Sequence, residues 1–267
     1  MEGKNIHVWQ AEVLANRPRA VGIFELVLSC SFAKEFGLGQ FLCLEPLAPE
    51  SVMARPFSVY TRDLSKGTIS LLVKVVGNNT RRLSQLVPGQ EIKAWGPLGR
   101  TIRPRELSGY DKVFLVGGGV GIAALSLWQN EVFDLGISNE VFYGNKTGAE
   151  AVSDLGFIGR APIHLATDDG SLGFHGLVTD LFAQKVIATE KTLVLTCGPK
   201  KMMCRIAEIC RQKNLGCWVS LERTMACGLG VCYGCSIETD SGGMQRICCE
   251  GPVFSAKEVS NELQARS

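Results

Sequence analysis

Four cysteines near the end of the chain stand at the spacing Cys227-x4-Cys232-x2-Cys235-x12-Cys248. Two bridged irons need four thiolates, three from one loop and a fourth returning from elsewhere, and C-x4-C-x2-C…C is the plant-type [2Fe–2S] spacing. Gly228, Gly230 and Gly234 let the loop backbone wrap close to a cluster and aim N–H groups at its sulfides. A zinc site or reduced free thiols are the alternatives; zinc usually draws on paired C-x2-4-C units, and a single such unit is present. Cys249 directly follows Cys248. Adjacent residues in extended chain point opposite ways, so one of the two reaches iron, and spacing alone leaves open which. Cys30, Cys43, Cys197, Cys204, Cys210 and Cys217 are scattered and read as buried small hydrophobes.

Three upstream stretches have the chemistry of nucleotide sites. Arg55-Pro56-Phe57-Ser58-Val59-Tyr60 offers a guanidinium for a pyrophosphate, an aromatic for a flat ring and a hydroxyl for the polar edge of a flavin. Gly77-Asn78-Asn79-Thr80 follows a strand and leads into a helix near Thr80, whose first N–H groups suit phosphate. Gly117-Gly118-Gly119-Val120-Gly121 joins a strand to a helix and, from Gly119, reads G-x-G-x-x-A, the opening of a dinucleotide site. Each has a plainer reading: an ordinary strand with a buried ring, a helix cap, and tight strand–helix packing. The acidic residue expected at the end of the next strand is missing, since that strand closes Phe142-Tyr143-Gly144-Asn145-Lys146. Ribose recognition must therefore differ, and Lys146 is a candidate contact for a 2′-phosphate as well as an ordinary solvated lysine.

These residues need elements to hold them. Residues 6 to about 107 read as short strands, such as Val21–Leu28 and Gly67–Val76, punctuated by Pro46, Pro49, Pro88-Gly89 and Gly96-Pro97. That texture predicts an antiparallel barrel or sandwich. From about 108 the pattern changes to buried strands (Lys112–Val116, Glu140–Tyr143, Ile163–Ala166, Thr192–Thr196) alternating with helical stretches such as Ile122–Trp128 and Val178–Val186. Alternation of this kind predicts a parallel, doubly wound sheet. After about 221 a Gly-rich loop crowded with cysteines follows, too short for a core of its own and best organised by metal. The expected domains are 1–107, 108–220 and 221–267.

Composition narrows the classes. At 267 residues the chain supports one or two cored domains, and a net charge of +2 gives no push toward nucleic acid or anionic membrane. Eleven cysteines with no basic-then-apolar start in Met1–Gln10 point to a reducing compartment, the cytoplasm, and to metal or redox roles. The longest apolar run, Val113–Trp128, is interrupted by glycines and reads as strand, turn and helix instead of a membrane span.

Taken together, RPFSVY at 55–60, GNNT at 77–80, GGGVG at 117–121, Thr167-Asp168-Asp169-Gly170-Ser171, and Cys197-Gly198-Pro199 followed by Met202 resemble the ferredoxin–NADP reductase superfamily. The tail, Ser220 to Gly228 (SLERTMACG) with Cys232, Cys235 and Cys248 before Gly251-Pro252-Val253-Phe254, is similar to iron–sulfur electron-transfer subunits of two-component, NAD-linked dihydroorotate dehydrogenases. The resemblance implies an N-terminal antiparallel FAD-binding β-barrel, a parallel doubly wound NAD-binding domain and a C-terminal [2Fe–2S] loop. It implies that Arg55 and Ser58 hold FAD, that Pro56, Phe57, Val59 and Tyr60 line it, and that Leu72, Val73, Lys74, Gly77, Asn79 and Thr80 continue the site. Gly117, Gly118, Gly119 and Gly121 would receive NAD(H) or NADP(H), with Cys197, Gly198 and Pro199 beside the nicotinamide–flavin junction. Cys227, Cys232, Cys235 and Cys248 would bind the cluster, Cys248 being favoured over Cys249 by its distance to Gly251-Pro252. Asn79 departs from the glycine often found there, and Cys249 from an acidic residue. The implied function is passage of electrons between an FMN-containing, dihydroorotate-oxidising partner and NAD in a heterotetramer, with no acid or base catalyst. The alternatives are a subunit of a ferredoxin:NADP oxidoreductase, sulfide dehydrogenase or hydrogenase, or a non-enzymatic redox module.

Overall fold

The computed structural model describes residues 5–48, 50, 52–155, 160–187, 189 and 191–264. Met1–Lys4 and Pro49 lie outside the described residues. Seven strands form the first sheet: β1 (His7–Ala20), β2 (Ile23–Ser29), β3 (Phe41–Leu44), β4 (Arg55–Ser58), β5 (Thr61–Asp63), β6 (Thr68–Lys74) and β7 (Glu91–Leu98). Their order is β4-β3-β7-β1-β2-β6-β5 and every pairing is antiparallel. The sheet curls into a half-barrel whose inside is lined by residues of alternate parity, such as Ala11 and Val13 of β1 and Ile92 and Ala94 of β7. Helix α1 (Asn78–Leu83) follows β6 and starts two residues before Thr80, because the Thr80 hydroxyl accepts the N–H groups of Val76 and Gly77 at 2.9 and 3.1 Å.

The second sheet is parallel across β8 (Lys112–Gly118), β9 (Ser138–Asn145), β10 (Ile163–Thr167), β11 (Phe174–His175), β12 (Thr192–Cys197) and β13 (Gly216–Ser220), in the order β11-β10-β9-β8-β12-β13. Helix α2 (Ile122–Asp134) covers one face; α3 (Val178–Lys185) and α4 (Lys200–Gln212) cover the other. The two-residue period of β8 divides it between them. Val113 and Leu115 join the core of α2, whereas Phe114 and Val116 join that of α3 and α4. Phe114, Phe142 and Phe182 meet edge to face at 5.2–5.9 Å and lock the second layer. This is the doubly wound arrangement that the strand–helix alternation predicts. Helix α4 is not among the helical stretches read from the sequence; its buried stripe of Met203, Ile206, Ile209 and Cys210 has helical spacing.

Beyond Ser220 the chain forms a cysteine-bearing loop, a small hairpin of β14 (Ser236–Glu238) and β15 (Met244–Arg246), then β16 (Val253–Ser255) and α5 (Ser260–Gln264). Strand β16 adds antiparallel to β13, so the chain after the cysteines returns to the edge of the second sheet.

Candidate functional site

Of the six residues 55–60, Arg55–Ser58 form β4, and Val59 and Tyr60 follow it. β4 is an edge strand, paired with β3 on one side through Arg55–Leu44, Pro56–Cys43, Phe57–Leu42 and Ser58–Phe41. The Arg55 guanidinium donates to the Met53 and Ala54 carbonyls at 3.0 and 3.3 Å, which fixes its stem. Val59 and Tyr60 are buried, and Leu72 and Val73 close the sheet beneath them. Lys74 leaves the barrel and pairs with Glu150 of the second domain at 2.6 Å. Asn79 explains its own departure from glycine: it is buried, and its Oδ1 accepts the N–H groups of Leu47 and Ala48, both at 2.9 Å. Its side chain therefore braces the loop after β3.

In the glycine turn, packing and ligand approach are separable. A Cβ on Gly117 would stand 2.8 Å from Ile122 Cδ1, on Gly118 2.7 Å from Met202 Sδ, and on Gly121 2.4 Å from the Cys197 carbonyl oxygen. These three glycines let β8, α2 and the Cys197–Pro199 turn approach one another. Gly119 differs: its φ is +53° and nothing lies within 4 Å of an added Cβ. It opens onto a cleft of about 410 Å³. Along with the glycine turn, that cleft is walled by Lys74 of the barrel, Gly198 and Pro199, and Leu221, Glu222 and Arg223 on the approach to the cysteines. A larger groove of about 1220 Å³ lies among α4, β13, β16 and α5 and holds none of the residues predicted for cofactors.

Glu222 is the member of this cleft that sequence reading passed over as a functional group, although it stands inside the SLERTMACG stretch. Glu222 is exposed at the wall of the cleft, and partial desolvation of its carboxyl there raises its pKa. It forms no hydrogen bond or ion pair among the described residues, whereas neighbouring Arg223 is held by both oxygens of Glu262 at 2.8 Å. Cys197 is fully buried; burial first, and the Glu222 charge second, push its thiol up.

The cysteines gather two by two. Cys227 Sγ lies 3.2 Å from Cys232 Sγ, and Cys235 Sγ 3.3 Å from Cys248 Sγ. Cys249 Sγ sits 3.8 Å from Cys248 Sγ, and an added Cβ on Gly230 would meet it at 2.3 Å, so it packs against the loop at Gly230. Among the described residues no three ligand-type side chains close around one point. Two thiol pairs suit two irons; a structural zinc needs four donors on one centre. Burial pushes the Cys227 thiol up, but the Leu229 N–H, the Cys232 thiol and further loop N–H groups outweigh it and bring it down to about 7. The loop is stapled by Arg246, which donates to the Gly230 carbonyl at 2.8 Å, pairs with Glu250 at 2.6 Å and lies over the Tyr233 ring at 5.1 Å. Cys232 is exposed and Cys235 and Cys248 are buried, so one thiol pair faces solvent and the other faces the protein.

Barrel, doubly wound domain and thiol pairs define a flavin- and iron–sulfur-dependent reductase of the ferredoxin–NADP reductase type. Known proteins agree. The oxidoreductase FAD-binding domain model matches residues 17–102, and the iron–sulfur cluster binding domain of dihydroorotate dehydrogenase B matches residues 222–260. The dihydroorotate dehydrogenase B (NAD(+)) electron transfer subunit of Clostridium acetobutylicum is 38% identical over 89% of this chain and 91% of its own length. That of Listeria innocua is 31% identical over 94% and 98%. A solved NADH-dependent reduced ferredoxin-NADP oxidoreductase superposes with a TM-score of 0.85 at 29% identity, covering 100% of this chain and 94% of that one. The chain belongs to the family of dihydroorotate dehydrogenase B (NAD(+)) electron transfer subunits.

Proposed function

We propose that this chain carries electrons from an FMN-containing subunit that oxidises dihydroorotate to NAD+, by way of a [2Fe–2S] cluster and FAD, within a heterotetramer. One observation carries the reading: a single cleft is bordered by the barrel through Lys74, by the glycine turn, and by the segment leading to the cysteines. When bound, a flavin exchanges electron pairs with nicotinamide and single electrons with a cluster, so it belongs between them. Arg55 and Ser58 are the residues proposed to anchor FAD, with Phe57, Val59 and Tyr60 beside its ring. Gly119, without a side chain, lets a pyrophosphate approach the start of α2. Cys227 and Cys232 hold the outward iron, Cys235 and Cys248 the inward one.

Asp168 and Asp169, whose N–H groups bond to the Asn145 and Lys146 carbonyls at 3.1 and 3.2 Å, set two carboxylates at the ends of β9 and β10. Such a position suits ribose hydroxyls and repels a 2′-phosphate, which favours NAD over NADP and leaves Lys146 as a solvated lysine. None of the eleven cysteines forms a disulfide, which fits a reducing compartment such as the cytoplasm. The test is anaerobic purification of the chain with its partner: about two irons and one FAD per chain, and dihydroorotate-dependent NAD+ reduction. Zinc in place of iron, or FMN in place of FAD on this chain, overturns the reading. A second reading, NADH-dependent transfer of electrons from reduced ferredoxin to NADP+, is favoured by the structural likeness over the whole chain. Ferredoxin-dependent turnover without dihydroorotate selects it.

A further inference from the structure

The cysteine loop does not stand alone; the flavin barrel grips it at both ends. The Trp95 indole N–H donates to the Cys227 carbonyl at 3.0 Å, and the Gly99 N–H to the Cys248 carbonyl at 2.9 Å. Between these bonds the barrel surface presses on the loop. A Cβ on Gly228 would lie 2.9 Å from Cys43 Sγ, 3.1 Å from Leu98 Cδ1 and 3.2 Å from Trp95 Nε1. Cys43 and Trp95 are register partners on β3 and β7, so their side chains share one face of the sheet. On its other side Cys43 is in register with Pro56 of β4. Cys43 is fully buried and belongs to the same apolar core as Cys235, Cys248, Ile247 and Met225.

We propose that this barrel wall sets the reduction potential of the cluster, with Cys43 as a fifth, non-ligating thiol whose S–H dipole is packed against the cluster loop at Gly228, next to the ligand Cys227. The inference rests on the cluster reading above. Its physical basis is the surroundings of the thiol. Apolar side chains of the shared core enclose it, and its sulfur meets the loop backbone at Gly228, next to the ligand Cys227. A thiol enclosed by apolar side chains stays a neutral S–H at physiological pH. A neutral S–H beside anionic sulfur turns its positive end toward it. A reduced cluster carries one more negative charge than an oxidised one, so the dipole stabilises the reduced form more. Dipoles and hydrogen bonds around cluster sulfurs and the exclusion of water are what tune such potentials. The ligand pairs themselves (Cys227 with Cys232, Cys235 with Cys248) leave no coordination position for Cys43.

The test is an EPR-monitored redox titration of the full chain, loaded with FAD and cluster, in three forms: unaltered, Cys43→Ala and Cys43→Ser. Cys43→Ala keeps its iron and, at the ambient potential that half-reduces the unaltered cluster, shows a reduced-to-oxidised ratio about tenfold lower, a shift of about 59 mV for one electron. Cys43→Ser retains an X–H dipole and recovers most of that ratio, which a merely space-filling role would not require. If Cys43→Ala unfolds the barrel, Cys43→Val fills the space without a dipole and is read against Cys43→Ser in the same way. Equal potentials in the apolar and serine variants overturn the proposal, and so does loss of iron from a folded, FAD-loaded Cys43→Ala, which would make Cys43 a ligand. A [2Fe–2S] signal missing from the unaltered chain would instead sink the cluster reading, so the two failures are distinguishable.

Discussion

Gly121→Ala separates packing from ligand approach in the glycine turn. The added methyl would lie 2.4 Å from the Cys197 carbonyl oxygen, 2.7 Å from its carbon and 2.8 Å from the Gly198 Cα. All three are backbone atoms, so no side chain can swing away, and the Cys197–Pro199 turn must retreat by about 1 Å to restore ordinary contact. Overpacking against rigid neighbours costs about 1–3 kcal/mol, and backbone on every side puts this case near 3. For a chain of this size that is a fall in Tm of about 6–12 °C. The displaced turn also walls the cleft, so KM for NADH in dye reduction rises by about tenfold, near 1.4 kcal/mol. Gly119→Ala is the control. Its methyl meets no atom within 4 Å, and its cost is the left-handed backbone, about 1–2 kcal/mol. It disturbs stability less than Gly121→Ala but obstructs the dinucleotide directly. Calorimetry, FAD and iron content, and NADH:dye kinetics on both variants decide the matter. A Gly121→Ala protein with Tm within 2 °C of the parent and unchanged KM would refute the packing argument.

Three further outcomes are expected. Cys248→Ser loses most of its iron on anaerobic purification, whereas Cys249→Ser keeps it, because Cys248 pairs with Cys235 at 3.3 Å and Cys249 packs against the loop at Gly230; equal iron in both variants contradicts the assignment. Trp95→Phe removes the indole N–H bond to the Cys227 carbonyl, worth about 0.5–1.5 kcal/mol, and should speed cluster loss to a chelator while FAD content stays constant. Glu222, with a raised pKa, holds its proton to a higher pH in the folded state than in the unfolded one. The native state then binds more protons than the unfolded state above the ordinary carboxylate range, so this group makes stability fall as pH rises. Urea midpoints between pH 5 and pH 8 should decline less steeply in Glu222→Gln; parallel pH profiles would show that the group is not desolvated.

What the sequence disclosed followed the range of the interactions involved. Thiol spacing is local, so Cys227, Cys232 and Cys235 were legible at once. Cys248 against Cys249 was not, because the choice depends on how the chain after β15 folds back on the loop. The strand–helix alternation from Lys112 to Thr196 reads directly because each buried strand is continuous and each helix has its own stripe. Helix α4 has an equally regular stripe and could have been read from Met203, Ile206, Ile209 and Cys210. β16 could not: three residues carry no periodicity, and its pairing with β13 is visible only in three dimensions. The glycines carry two demands at once. Gly117, Gly118 and Gly121 are required by packing, Gly119 alone of the four has open space around an added Cβ, and Gly118, Gly119 and Gly121 all line the cleft. The wall formed by Cys43, Trp95 and Leu98 was invisible, since it joins residues more than a hundred positions away from the cysteines they touch.

On the proposed route the cluster links the partner subunit to the flavin and takes no part in the exchange with nicotinamide. Cys235→Ser, in the buried thiol pair, tests it most directly when the variant is assembled with its dihydroorotate-oxidising partner and checked for FAD content and complex formation. NADH should still reduce a small dye through this protein, while dihydroorotate no longer reduces NAD+. An intact, FAD-loaded, cluster-free complex that couples the two substrates at the parent rate would contradict it.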